Sequence, residues 1–289
     1  MCRLFGMSAG AERAHATFWL LEAPDSLSAQ SHREPDGTGV GWFDEHDEPH
    51  VSKQAIAAYE DARFAAQAHE VTSRTFIAHI RFASTGGLDV RNTHPFEQEN
   101  RLFAHNGVIG DLEALDAHLE GARRLVHGDT DSERLFALIT RETAAAGGEL
   151  EAGIISACSW VARNLPLLAI NFVLSTADRV FALRYPDTHE LYVLEREPGS
   201  RLEHRSSLGS RISSEHGVGK PLVVIASERM DEDAGWRLLA SGELLQVTPA
   251  LEVSSRRILD GPPARPLTLE DLEPRARASQ AAAIPRPQA

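Results

Sequence analysis

Short apolar segments typical of buried strands stand near both ends of the chain, and helical segments lie between them. Residues 2–8, 75–80 and 221–227 are rich in apolar and β-branched side chains, which predicts strands. Thr130 opens a capping-box sequence, and 150–164 has apolar residues at helical spacing, so both predict helices. Strands on either side of paired helices predict sheets covered by helices in one α+β domain.

The size and charge of the chain narrow its class. Its 289 residues are 42% hydrophobic and 25% charged, which is the composition of a folded protein with a sizeable core. The formal net charge of −13 argues against binding to nucleic acid or to an anionic membrane. No apolar run reaches the length of a membrane span, and the start of the chain lacks the pattern of a signal peptide. We therefore expect a cytoplasmic protein.

The composition changes near the end of the chain. Residues 2–260 contain no visible linker and predict a single domain. From residue 261 onward Pro, Ala and Arg predominate and leave too little apolar surface to fold alone, so 261–289 is predicted to be a disordered tail. The polar stretch 197–220 is predicted to be a mobile surface insertion.

The two cysteines have different surroundings in the sequence. Cys158 lies among apolar residues at helical spacing, which predicts a core position. Cys2 follows only the initiator Met, and a small second residue permits removal of that Met. The mature chain would then begin with a thiol and an α-amino group, whose pKa of about 7.7–8.0 suits it to act as the base for that thiol.

Four other residues are candidates for binding and catalysis. The strand predicted at 102–104 runs into His-Asn-Gly, where the Asn106 amide and the Gly107 N–H can form an oxyanion site, although Asn-Gly is more often a hairpin turn. Arg81 ends a predicted strand and suits either a bound carboxylate or a structural salt bridge. Asp131 lies in the first turn of a helix, where it either caps the helix or binds a cation such as an amino-acid ammonium.

Taken in order along the chain, these elements resemble the class II glutamine amidotransferases, which are N-terminal-nucleophile hydrolases, and within them the stand-alone YafJ-like type. The resemblance covers nearly all of 2–260. The motifs that carry it are Cys2-Arg3-Leu4-Phe5-Gly6, His32-Arg33-Glu34-Pro35-Asp36-Gly37-Thr38-Gly39-Val40-Gly41, Arg81-Phe82-Ala83-Ser84-Thr85-Gly86, Asn92-Thr93-His94-Pro95-Phe96, His105-Asn106-Gly107 and Asp129-Thr130-Asp131-Ser132-Glu133.

The resemblance implies a four-layer αββα fold and cleavage of the side-chain amide of glutamine to glutamate and ammonia. Cys2 would be the nucleophile, with Asn106 and Gly107 as the oxyanion hole. The cleavage passes through a thioester that water hydrolyses, so no metal or redox cofactor is expected.

The resemblance also implies the substrate contacts. Arg81 would bind the α-carboxylate of glutamine, and Asp131 would bind its α-ammonium. Ser84 stands where the family has Thr or Ser near the substrate, and His94 would be a structural residue beneath the site. Glu34 departs from the family, which usually has Gly at this point of the His-Arg-Gly-Pro-Asp loop.

Three functions stay open on the sequence alone. The first is a glutaminase subunit that passes ammonia to a separate synthase, because no P-loop or dinucleotide-binding motif is present. The second is a hydrolase of another γ-glutamyl amide, as in the related ergothioneine-pathway enzymes. The third is a silent binding module that kept the fold, and the intact set of candidate site residues counts against it.

Overall fold

The computed structural model describes residues 2–82, 87–197, 203–205, 211–213 and 220–281. Its strands are β1 (Arg3–Ser8), β2 (Gly37–Phe43), β3 (Pro49–Gln54), β4 (Thr75–Arg81), β5 (Phe96–Gln98), β6 (Arg101–Ile109), β7 (Pro166–Ser175), β8 (Val180–Arg184), β9 (Tyr192–Arg196), β10 (Glu203–Arg205), β11 (Arg211–Ser213), β12 (Leu222–Ala226), β13 (Arg237–Leu238), β14 (Glu243–Val247), β15 (Val253–Arg257) and β16 (Arg265–Pro266). Its α-helices are α1 (Leu27–Gln30), α2 (Ala62–Glu70), α3 (Leu112–Leu119), α4 (Asp131–Ala145), α5 (Leu150–Asn164) and α6 (Pro274–Ala281).

Two sheets form the centre of the molecule. The first has the order β13-β9-β12-β1-β4-β2-β3, and the second has the order β15-β14-β8-β7-β6-β5. Neighbouring strands in these paths are antiparallel, and β16 adds to β7 in parallel. The strands β10 and β11 pair with each other within the predicted insertion 197–220, most of which lies outside the described residues.

The alternation of side chains along the strands produces four layers. Successive residues of a strand point to opposite faces, so Leu4 enters the core between the two sheets while Phe5 packs on the outer face of the first sheet with Phe64 of α2. On the outer face of the second sheet, Phe103 packs with Leu135 of α4. The order helix, sheet, sheet, helix confirms the predicted αββα sandwich.

The two long helices match the prediction from sequence. Helix α5 spans the predicted residues, and Cys158 is fully buried in its core-facing side. At the start of α4, the Thr130 hydroxyl accepts from the Glu133 amide at 3.2 Å, which is half of the predicted capping box. The Glu133 carboxylate instead accepts from the Gly128 amide at 2.6 Å. Among the described residues, no helix has the length and apolar character needed to cross a membrane.

The hairpin turn that Asn-Gly favours does not form at His-Asn-Gly, because β6 continues through it to Ile109. Asn106 pairs with Asn171 and Gly107 with Ile170 on β7. A Cβ atom on Gly107 would lie 1.9 Å from the Ala169 carbonyl oxygen. Glycine is required here because the neighbouring backbone comes so close, and not because the chain reverses direction.

The predicted disordered tail also differs from the structure. Strand β16 adds to β7, and α6 follows a short 3₁₀ turn at Leu269–Asp271. Leu272 and Ala276 are 7% and 5% exposed and pack with Val108 and Leu168. These few apolar side chains bury themselves on a surface that the domain provides, which the composition of the segment alone does not reveal. Residues 282–289 lie outside the described residues.

Candidate active site

Cys2 directly precedes β1, with 8% of its surface exposed. Its Sγ accepts from the Phe82 amide at 3.3 Å and donates to the Phe82 carbonyl at 3.4 Å, which fixes the thiol at the end of β4. Burial raises the pKa of the Cys2 thiol, while the Phe82 amide and the Arg81 guanidinium lower it and Glu34 raises it further. With its pKa raised, the thiol needs a base to become a nucleophile.

Asn106, in β6 of the second sheet, connects that sheet to Cys2 beside β1 of the first sheet. Its side chain is 1% exposed, and its Nδ2 donates to the Cys2 carbonyl at 2.9 Å. The amide nitrogen carries two hydrogens, so this bond leaves one donor for another acceptor. Gly107 follows Asn106 and lines the same cavity as the thiol.

Two buried charged residues face this cavity. Arg81 ends β4, is 3% exposed, and donates from Nη1 to the Gly87 carbonyl at 3.1 Å. Asp131 is 2% exposed, and its two oxygens accept from the amides of Ile109 at 2.9 Å and Ser132 at 3.0 Å. The first of these bonds ties the start of α4 to β6, a role that the sequence did not predict. The residues that line the cavity are Cys2, Arg81, Phe82, His94, His105, Gly107, Thr130, Asp131 and Ser132.

The remaining predicted residues have different outcomes. Ser84 lies outside the described residues, so its place near the substrate stays a prediction. His94 borders the cavity and is 5% exposed, and its ring centroid lies 4.2 Å from that of His79. Burial lowers the pKa of both imidazoles, to about 3 for His79. Both rings are therefore neutral near pH 7.

Sequence reasoning missed two features of the site. The His105 Nδ1 lies 2.9 Å from the Ser132 hydroxyl, and this bond joins β6 to α4 without any signal in the sequence. The second is Glu34, which is 1% exposed and lies 3.8 Å from Arg3. Its carboxylate raises the pKa of the Cys2 thiol. The sequence does carry a signal for Glu34, because this residue stands where the loop motif of the family usually has Gly. Among the described residues, no group of three or more His, Cys, Asp or Glu is arranged to hold a metal ion.

Several known proteins are similar to this chain. A γ-glutamyl-hercynylcysteine sulfoxide hydrolase of Mycobacterium tuberculosis is 28% identical over 258 residues, which are 86% of this chain and 93% of that protein. The putative glutamine amidotransferase YafJ of Escherichia coli is 26% identical over 186 residues, 61% of this chain and 71% of that protein.

The fold is shared with solved amidotransferases. The glutamine phosphoribosylpyrophosphate amidotransferase of B. subtilis superposes with a TM-score of 0.64 at 20% identity, over 90% of this chain and 50% of that one. The chain thus spans about half the length of that enzyme. The family model for class-II glutamine amidotransferases matches residues 1–255, and the chain therefore belongs to the class-II glutamine amidotransferases, with their N-terminal-nucleophile fold.

Proposed function

We propose that the protein hydrolyses the side-chain amide of glutamine to glutamate and ammonia through a thioester on Cys2. The observation that carries this proposal is the convergence of the buried Cys2 thiol, Arg81, Gly107 and Asp131 on one cavity, with Asn106 bonded to the same cysteine. A nucleophile, oxyanion donors and two opposite charges are the parts that cleavage of an amino-acid side-chain amide requires.

The chemistry begins at the mature N-terminus. The neutral α-amine of Cys2 takes the thiol proton, and the thiolate attacks the γ-carbonyl carbon. The Asn106 Nδ2 and the Gly107 N–H stabilise the oxyanion that forms. The α-ammonium then returns its proton to the departing nitrogen, so ammonia leaves and a thioester remains. Water attacks the thioester and releases glutamate.

The charged residues hold the rest of the substrate. In this proposal Arg81 binds the α-carboxylate and Asp131 binds the α-ammonium. A guanidinium suits a carboxylate because it can donate two parallel hydrogen bonds. The two amides that bind the Asp131 carboxylate fix its position before the substrate arrives. His94 is proposed to support the floor of the site as a neutral ring.

A second candidate is hydrolysis of another γ-glutamyl compound, in which amide cleavage is itself the purpose. The observation that favours it is similarity, because the chain is 28% identical to a γ-glutamyl-hercynylcysteine sulfoxide hydrolase over 93% of that protein. In the first candidate, a separate synthase would accept the ammonia. We propose a cytoplasmic location for either activity.

Both candidates are tested by glutamate release from glutamine and from a panel of γ-glutamyl amides. A preference for glutamine supports the glutaminase, and a preference of at least about tenfold in kcat/KM for another member, equivalent to about 1.4 kcal/mol, supports the second candidate. If no compound releases glutamate, both are overturned and a binding role replaces them.

Replacing Asp131 with asparagine should impair both binding and stability. Loss of a charge-assisted bond to the substrate ammonium is worth about 1.5–3 kcal/mol, so kcat/KM for glutamine should fall by roughly 10- to 150-fold. The carboxylate also accepts from the Ile109 and Ser132 amides, so the free energy of unfolding should fall by about 1–3 kcal/mol. Steady-state kinetics and urea unfolding measure the two effects.

A substrate without the α-amino group, 5-amino-5-oxopentanoate, separates these effects. It should be a poor substrate of the unmodified enzyme and should lose little more in the Asp131→Asn variant. Equal losses on both substrates would show that Asp131 acts on the fold alone.

Replacing Glu34 with glutamine should move the acid limb of the pH profile to lower pH. The Glu34 carboxylate raises the pKa of the Cys2 thiol, so removing its charge makes the thiolate accessible at lower pH. Burial raises the pKa of the Glu34 carboxyl itself, and the nearby Arg3 and Arg33 oppose that rise by favouring the ionised carboxylate. We expect a shift of about one pH unit in the acid limb of kcat/KM.

The matched control is Glu228→Gln, which removes a carboxylate 2.7 Å from Arg3 and should leave the acid limb in place. An unmoved limb in Glu34→Gln would contradict this role.

A further inference from the structure

The segment from β16 to α6 lies beyond the residues that match the family, yet it is bonded to the domain. The family match ends at residue 255. Beyond it, the Ala264 amide donates to the Ala162 carbonyl and the Leu267 amide to the Leu167 carbonyl, both at 2.9 Å. These bonds join the start of the segment to the last turn of α5 and to the first residues of β7.

The segment ends beside the strand that carries Asn106 and Gly107. Leu272 and Ala276 bury their side chains against Val108, which follows Gly107 in β6, and against Leu168 of β7. Contacts on either side of Arg275 therefore fix the start of α6 at this point. This placement brings the Arg275 guanidinium to the end of the site where Arg81 lies.

Arg275 reaches a carboxylate that neighbours Arg81. Its Nη2 lies 3.4 Å from the Asp36 Oδ2, and the Asp36 amide donates to the Arg81 carbonyl at 3.1 Å. Burial lowers the pKa of the Arg81 guanidinium. Cys2, Asp36 and Asp89 raise that pKa, whereas Arg275 lowers it. Each of these two carboxylates is paired with a further arginine, since Asp89 lies 2.9 Å from Arg91. Both carboxylates near Arg81 therefore have an arginine partner of their own.

A carboxylate beside Arg81 opposes any carboxylate that the substrate brings to the same guanidinium, because like charges repel most strongly where water is excluded. An arginine that pairs with Asp36 offsets this repulsion. The geometry points to Arg275 as a positioning residue that neutralises Asp36 and so lets Arg81 bind the α-carboxylate of the substrate. This inference rests on the proposed function and predicts a preference for γ-amides with a free α-carboxylate.

The test measures KM and kcat for glutamine in Arg275→Gln, in Asp36→Asn and in the double variant. We expect KM to rise about three- to tenfold in Arg275→Gln with kcat nearly unchanged, the range for a partly exposed charge pair beside a buried site. Asp36→Asn should not raise KM, and the double variant should return KM to within about twofold of the unmodified enzyme. A purely structural arginine would not be rescued by removing its partner's charge.

Two controls separate charge from loss of structure. Arg277→Gln removes a guanidinium of the same helix that donates to the Leu269, Glu270 and Leu272 carbonyls, so it loosens the segment without removing the charge that pairs with Asp36 and should leave KM unchanged. 4-Aminobutanamide lacks the α-carboxylate, and its KM should not respond to Arg275→Gln. Raising the salt concentration should shrink the effect on glutamine.

Each outcome has a definite meaning. If the unmodified enzyme hydrolyses glutamine but Arg275→Gln leaves KM unchanged, the role of Arg275 is overturned and the proposed function stands. The same holds if the KM of the double variant stays as high as that of Arg275→Gln. An equal rise of KM with Arg277→Gln also overturns it, since the segment would then act only through its packing. If the unmodified enzyme hydrolyses no γ-amide, the proposed function fails and this inference falls with it.

Discussion

Replacing Cys2 with alanine is expected to abolish glutamate release, with a loss of the order of 10⁶ in kcat, the scale seen when a nucleophile is removed. The Cys2 thiol is the sulfur held at the end of β4, and the other cysteine, Cys158, is fully buried in α5. Binding should survive, because Arg81 and Asp131 are separate groups. Calorimetry with glutamine measures binding, and coupled glutamate detection measures turnover.

Cys158→Ala is the matched control, since it removes the other described cysteine from the core and leaves the cavity untouched. It should lose some stability and keep its turnover per folded molecule. Residual turnover in Cys2→Ala comparable to that of this control would mean that Cys2 is not the nucleophile.

Replacing Asn106 with alanine is expected to lower kcat by about 10²–10³, the usual loss for one oxyanion donor. The Nδ2 donor that is lost also holds the Cys2 carbonyl at 2.9 Å, so the nucleophile becomes less well placed at the same time. KM should change little, because Asn106 does not face the α-carbon groups in this mechanism. The rate of glutamate release at saturating glutamine measures this change in kcat.

Asn106→Asp keeps the volume of the side chain and replaces its donor with an acceptor, so it should lose at least as much activity as alanine. An unchanged kcat in both variants would place the oxyanion hole elsewhere. A large loss in alanine that aspartate restores would show that Asn106 serves only to fill space.

The parts of the fold that were predictable are those that local sequence determines. Helix α5 was predicted with its correct bounds because its apolar spacing and its termination depend only on residues that are neighbours in the sequence. The continuation of β6 through Asn106 and Gly107 was missed because Asn-Gly favours a turn locally, whereas the close approach of β7 decides the conformation. Contacts with a distant strand carry no local signal.

The features of the candidate site also divide into those that local sequence indicates and those that depend on the tertiary fold. Cys2 became a candidate from its position beside the initiator Met and Arg81 from its place at the end of a strand, and the resemblance to the class II glutamine amidotransferases supplied the role expected of each. The two backbone amides that hold Asp131 could not be predicted, since Ile109 belongs to another element that only the tertiary fold brings near. The ion pair of Arg275 with Asp36 was hidden for the same reason, because a segment poor in apolar residues folds only on the surface beneath it.

The central claim is that Cys2 acts as both nucleophile and base once it is the first residue. The most direct measurement compares protein that carries an N-terminal extension before Cys2 with the same protein after cleavage to expose Cys2, each verified by intact-mass spectrometry. The extended form has an amide in place of the α-amine, so we expect cleavage to raise the rate of glutamate release by about 10²–10⁴-fold, the usual contribution of a general base. Full activity in the extended form, or in protein that retains Met1, would contradict the account.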